Sequence, residues 1–122
     1  MKIIETPLEM QEWALKRREH EEKIALVPTM GALHEGHLSL LREGKRLADH
    51  LVLSIFVNPL QFGPAEDLKQ YPKTLEKDLN RAEECGVDIV FYPKTGDMYP
   101  KDFQTSLDLG ALSKPLCGAA RP

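Results

Sequence analysis

The sequence predicts an α/β fold built on a parallel sheet, and three observations predict it. Two short apolar runs without polar alternation, Ile24-Ala25-Leu26-Val27 and Leu51 to Val57, read as strands buried on both faces. Between them Leu40, Leu41, Gly44, Leu47 and Ala48 recur at helical spacing. The alternation then repeats with a further helix and strand, and strands separated by helices pair in parallel through right-handed crossovers.

Each element has its own signals. Thr6-Pro7-Leu8-Glu9 combines a capping hydroxyl, proline at the first helical position and a glutamate spaced to close a capping box, so a helix runs from there to about His20. Pro28 ends the first apolar run, and Asn58-Pro59 ends the second. The intervening helix is expected from about Gly36 to Asp49. After Thr74 a helix from Leu75 to Cys85 stops at Gly86, and Val87 to Tyr92 forms a strand closed by Pro93. The last thirty residues, with Gly96, Pro100, Gly110, Pro115 and Gly118, are expected to be loop-rich, with at most one short strand near Gln104 to Leu107. A doubly wound domain generally has about five or six strands, so the expected sheet reads as part of a larger one. The expectation is an incomplete, Rossmann-like parallel sheet with flanking helices.

Composition narrows the function. With 122 residues and 42% hydrophobic content the chain can form one core. Its 16 basic and 19 acidic side chains leave a formal charge of −3, which excludes the basic field that nucleic-acid binding uses. No apolar run reaches the roughly 18 residues of a membrane span, and Met1-Lys2-Ile3-Ile4-Glu5 lacks the apolar core of a secretion signal, so a cytoplasmic protein is expected. Cys85 and Cys117 have neither C-x-x-C spacing nor a disulfide framework and read as reduced, structural thiols.

The chemistry concentrates in the loop after the first apolar run, Pro28-Thr29-Met30-Gly31-Ala32-Leu33-His34-Glu35-Gly36-His37. Such loops lie at the carboxyl edge of a parallel sheet, where nucleotides bind. Its glycines allow close backbone approach, and the helix that follows offers amides and a positive dipole end to an anion. Gly31 and Gly36 have the outer spacing of a P-loop, but His37-Leu38 stands where that motif needs Lys and Ser or Thr. The two imidazoles three residues apart can instead donate to phosphate oxygens, as adenylyl transfer requires. A zinc site at His34 and His37 lacks a third ligand, because Glu35 points away from their shared face. Asn58 and Gln61, in the loop after the second run, suit a small polar acid, with Phe62 as a pocket wall. Glu66-Asp67 and the pair Glu76 and Asp78 read as a helix cap and a solvated face, not as metal ligands.

In this context the Pro28 to His37 segment resembles the H-x-G-H signature of the nucleotidylyltransferase superfamily, in the form carried by the pantothenate synthetase family. Ser54 to Phe62 is similar to that family's second motif, and Glu66-Asp67-Leu68, Tyr71 to Leu75, Gly86-Val87-Asp88, Met98-Tyr99-Pro100, Leu116-Cys117-Gly118 and Arg121-Pro122 follow in order. The resemblance implies a two-step ligase in which pantoate carboxylate attacks the α-phosphorus of ATP, carried with Mg2+, and the amine of β-alanine then displaces AMP. By matched position Met30, Gly31, Ala32, Leu33, His34, Glu35, Gly36 and His37 line the ATP site, with His37 as proton donor. Gln61 holds pantoate and later admits β-alanine, with Asn58 beside it. The resemblance further implies a homodimer and more protein carboxy-terminal to this segment, including a lysine-bearing loop, so the chain alone is expected to bind ATP weakly and turn over little. Two other readings stand beside it: another H-x-G-H nucleotidylyltransferase, which would need a Lys or Arg in the Asn58 to Phe62 loop for an acceptor phosphate, and a non-catalytic dimerisation module.

Overall fold

Leu51, Val52 and Leu53 are at most 2% exposed, which places their strand in the middle of a sheet covered on both faces. The computed structural model describes residues 1–63 and 74–116. In chain order these form β1 (Lys2–Ile4), α1 (Pro7–Glu19), β2 (Ile24–Thr29), α2 (Glu35–Leu47), β3 (His50–Ile55), a 3-10 turn at Pro59–Gln61, α3 (Leu75–Glu84), β4 (Ile89–Phe91), α4 (Thr95–Met98) and a second 3-10 turn at Gly110–Ser113. The sheet order is β1-β4-β3-β2 with every pair parallel, as the alternation of strands and helices predicts.

The alternation of β3 divides the core. Leu51, Leu53 and Ile55 face α2 and α3 in a cluster with Val27, Leu33, Leu41, Ala82, Val87 and Val90. Val52 points the other way, to Ile4 and Ile89, where Met10 and Trp13 of α1 cover it. The Thr6 hydroxyl caps α1 by accepting from the Glu9 amide at 3.3 Å, but the Glu9 carboxylate takes Lys2 Nζ at 2.8 Å and so ties the helix to β1.

The structure departs from the sequence reading in three places. β1 has no counterpart in the sequence reading, because three residues are too few to show a period, yet it pairs in register with β4 from Lys2↔Ile89 to Ile4↔Phe91. β2 continues through Pro28 to Thr29, since on an edge strand a missing N–H need not break the ladder. The short helix α4 replaces part of the expected coil. Residues 104–107, for which at most one short strand was expected, are coil, and Leu107 is 95% exposed. Cys85 is a free, half-buried thiol packed against the larger cluster. Cys117, Glu66 and Asp67 lie outside the described residues.

Candidate active site

The carboxyl ends of β2 and β3 are stitched side by side, and the site forms above the seam. The Thr29 hydroxyl donates to the Ser54 carbonyl at 2.9 Å and accepts from the Gly31 amide at 3.1 Å, while the Phe56 amide donates to the Thr29 carbonyl at 2.9 Å. These bonds hold the loop leaving β2 beside the loop leaving β3. A pocket of about 420 Å3 opens there, walled by Pro28, Thr29 and Met30 from the first loop, His37 from α2, Ser54 and Phe56 from the end of β3, and Asn58 and Gln61 from the 3-10 turn.

The two histidines cap their own helix. His34 is the N-cap of α2; its Nδ1 accepts from the Gly36 amide at 3.1 Å, and the His34 amide in turn donates to His37 Nδ1 at 3.2 Å. A ring nitrogen that accepts from a backbone N–H carries no proton, so in the neutral form both imidazoles are protonated on Nε2. The ring centroids are 4.1 Å apart. Partial burial, and then the neighbouring His34, push the His37 imidazole below its ordinary pKa, while the Asp78 carboxylate opposes the shift. His37 therefore stays neutral at physiological pH and offers Nε2–H as a donor. A side chain at Gly36 would come within 2.9 Å of His34 Cε1, so this glycine makes room for the capping ring rather than for a ligand.

Gly31 and Ala32 turn the loop with φ of 82° and 52°. The turn is held from α3 by Asp78, which is 2% exposed and so not on a solvated face. Its Oδ2 accepts from the Ala32 amide and its Oδ1 from the Leu33 amide, both at 2.8 Å, and Thr74 Oγ1 donates to Oδ2 at 3.1 Å. The Arg81 guanidinium donates to the Leu33 carbonyl. The amides of Ala32 and Leu33 are thus committed inward, and Leu33 is a core residue. A signal for Asp78 was present in the sequence: it falls on the same helical stripe as Leu75, Leu79 and Ala82, where a carboxylate needs partners.

Of the residues named from the sequence, Met30, His37, Asn58 and Gln61 meet at the pocket. Gly31, Ala32, Leu33, His34 and Gly36 form the turn and cap behind it, and Glu35 faces out to pair with Arg42. Phe56, not Phe62, supplies the aromatic wall. Tyr99, named above only within a family motif and not expected at the site, donates from its hydroxyl to Asn58 Oδ1 at 3.0 Å, and the Leu60 amide donates to the same oxygen at 3.1 Å. With its oxygen held by two donors, Asn58 has its amide nitrogen to offer. Among the described residues no group of three or more His, Cys, Asp or Glu side chains is placed to hold a metal ion, and no helix is long and apolar enough to cross a membrane.

A family model described as pantoate–β-alanine ligase matches residues 2–122. The chain belongs to the pantoate–β-alanine ligase family. The pantothenate synthetases of Pelobacter propionicus and Trichlorobacter lovleyi are 57% and 58% identical to it over 122 residues. Those matches cover all of this chain and 43% of each relative, so the chain spans less than half the length of the curated ligases it resembles. A solved ligase of this family from Thermus thermophilus superposes with a TM-score of 0.89 at 44% identity, again over 100% of this chain and 43% of that one. The Francisella tularensis pantoate–β-alanine ligase, described as complexed with beta-gamma ATP and β-alanine, superposes with a TM-score of 0.84 at 34% identity, covering 100% of this chain and 47% of that one.

Proposed function

We propose that this chain provides the nucleotide loop and the acid pocket of an ATP-dependent ligase that joins pantoate to β-alanine, and that residues 1–122 are the amino-terminal part of its Rossmann-like ATP- and pantoate-binding domain. The observation that carries the reading is the convergence of His37, Met30, Asn58 and Gln61 on one pocket at the carboxyl edge of a parallel sheet.

In the first half-reaction a pantoate carboxylate oxygen bonds to the α-phosphorus of ATP as the bond to the bridging oxygen breaks, releasing pyrophosphate and leaving pantoyl adenylate. In the second, the amine of β-alanine adds to the acyl carbon, AMP departs with its electron pair, and the amine loses a proton. This chain's contribution is positioning and charge stabilisation. His37 donates through Nε2–H to phosphate oxygens as charge shifts toward the leaving group, and His34 holds the start of α2 in place. The Asn58 amide nitrogen and Gln61 hold the small acid. The pocket-lining side chains are uncharged, so Mg2+ enters as the ATP complex rather than on protein carboxylates.

The same lack of charge limits the chain on its own. A neutral His37 imidazole and a helix dipole offset little of a triphosphate's charge, so the isolated chain should bind ATP weakly and form no detectable pantothenate; measured pantothenate formation would overturn that part. The edge of β2, with Leu26 61% exposed, favours association into the dimer that the family resemblance implies, and sedimentation mass reports it. The site assignment is tested by titrating isotope-labelled protein with pantoate and with MgATP. Pantoate should shift the side-chain amides of Asn58 and Gln61, and MgATP the imidazole of His37. Shifts scattered away from both loops would overturn the assignment.

A further inference from the structure

We propose that Asp78 is a positioning residue for the phosphate loop: from α3 it sets the turn that aims His34 and His37, with Arg81 as its partner on the opposite side of the Leu33 peptide. The proposal rests on the nucleotide reading of that loop.

Three features support a role beyond packing. Asp78 spends both oxygens on consecutive amides of the loop, Ala32 and Leu33, one residue before the N-cap His34. A structural carboxylate needs only enough donors to offset its burial; this one grips two consecutive peptides across 46 and 45 residues of chain. Second, Ala32 holds a left-handed φ of 52°, a conformation disfavoured for any residue with a Cβ. Such strain persists where the surroundings over-determine it, and the bond to Asp78 is on the strained residue's own amide. Third, the neighbouring Gly31 is fitted to the same carboxylate, because a Cβ there would lie 3.1 Å from Asp78 Oδ2. Arg81 completes the grip by donating to the Leu33 carbonyl, so α3 holds that residue's peptide groups from both polar sides.

Asp78→Asn keeps the shape but can accept only one of the two amides; its own NH2 meets the other, donor against donor. Arg81→Ala removes the second contact from an exposed side chain and serves as the check if Asp78→Asn does not fold. The ligand-free readout is the set of imidazole nitrogen resonances of His34 and His37, which report the Nε2–H tautomer and the caps at Nδ1. Both variants should shift them, and Asp78→Asn should also lower the titration midpoint of His37. In MgATP calorimetry Asp78→Asn should weaken binding about tenfold, the loss expected for a charged hydrogen bond, while pantoate binding at Asn58 and Gln61 is unchanged. Folded variants whose imidazole resonances match the native chain would overturn the positioning role whatever happens to nucleotide. Native protein that fails to bind MgATP would instead overturn the nucleotide reading, with the imidazole resonances still deciding the role of Asp78.

Discussion

Gly44 lies where α2 crosses the sheet, and replacing it with alanine tests how tightly that helix is seated. A methyl group there would stand 2.8 Å from Leu51 Cδ1 and 3.3 Å from Ala25 Cβ. On an exposed helix the change would stabilise by about 1 kcal/mol through helix propensity. Here Leu51 is 0% exposed and has no solvent side to turn to, and the Ala25 methyl moves only with the β2 backbone. Overpacking of this kind costs roughly 1–3 kcal/mol. The balance is a net loss of about 1 kcal/mol, which lowers the melting temperature of a domain of this size by about 4 °C. Because His37 stands on the same helix, MgATP affinity should fall as α2 lifts from the sheet. Thermal unfolding followed by circular dichroism reads the first effect. A melting temperature that rises would show that α2 does not approach the sheet so closely, and would refute the packing that positions the phosphate loop.

Other predictions follow from single contacts. Tyr99→Phe removes one donor from Asn58 Oδ1, so pantoate should bind about fivefold more weakly, the equivalent of one neutral hydrogen bond of about 1 kcal/mol, with MgATP affinity unchanged; equal weakening of both ligands would contradict the assignment of Asn58 to the acid. The depressed pKa of His37 also has a thermodynamic consequence. Between the folded value and the higher unfolded one the unfolded chain binds more protons, so stability rises with pH through that window and is lost as pH falls below the ordinary imidazole value. Denaturant midpoints across that window should rise less steeply for His37→Ala than for the native chain.

The parts of this fold that were legible in the sequence are those carried by period and local chemistry. β3, α2 and α3 are found within a few residues because their apolar positions recur, and Thr6 and Gly86 mark helix ends through backbone rules alone. β1 is too short for such a signal, and the extension of β2 through Pro28 becomes visible only once β2 is known to be an edge. That the two loops meet was legible because loops after two adjacent parallel strands share an edge, and this brings His37, Asn58 and Gln61 to one pocket; Met30, which also lines it, was named only through the family resemblance. The stripe of Leu75, Leu79 and Ala82 marks Asp78 as a buried carboxylate, but its partners and those of Tyr99 were not legible, since those bonds reach across 45 or more and 41 residues respectively. Only the folded chain brings an acidic helix residue to the Ala32 and Leu33 amides, or a tyrosine from beyond β4 to Asn58.

Whether the Met30 to His37 loop is a preformed phosphate site is decided by calorimetric titration with MgATP, comparing the native chain with His34→Ala and His37→Ala. A preformed site gives weak, saturable binding to the native chain and a loss of about tenfold or more in His37→Ala, the cost of a charge-assisted hydrogen bond to phosphate, with His34→Ala weakened as well through its lost cap. Binding of equal strength in all three proteins, or none in the native chain, would contradict it.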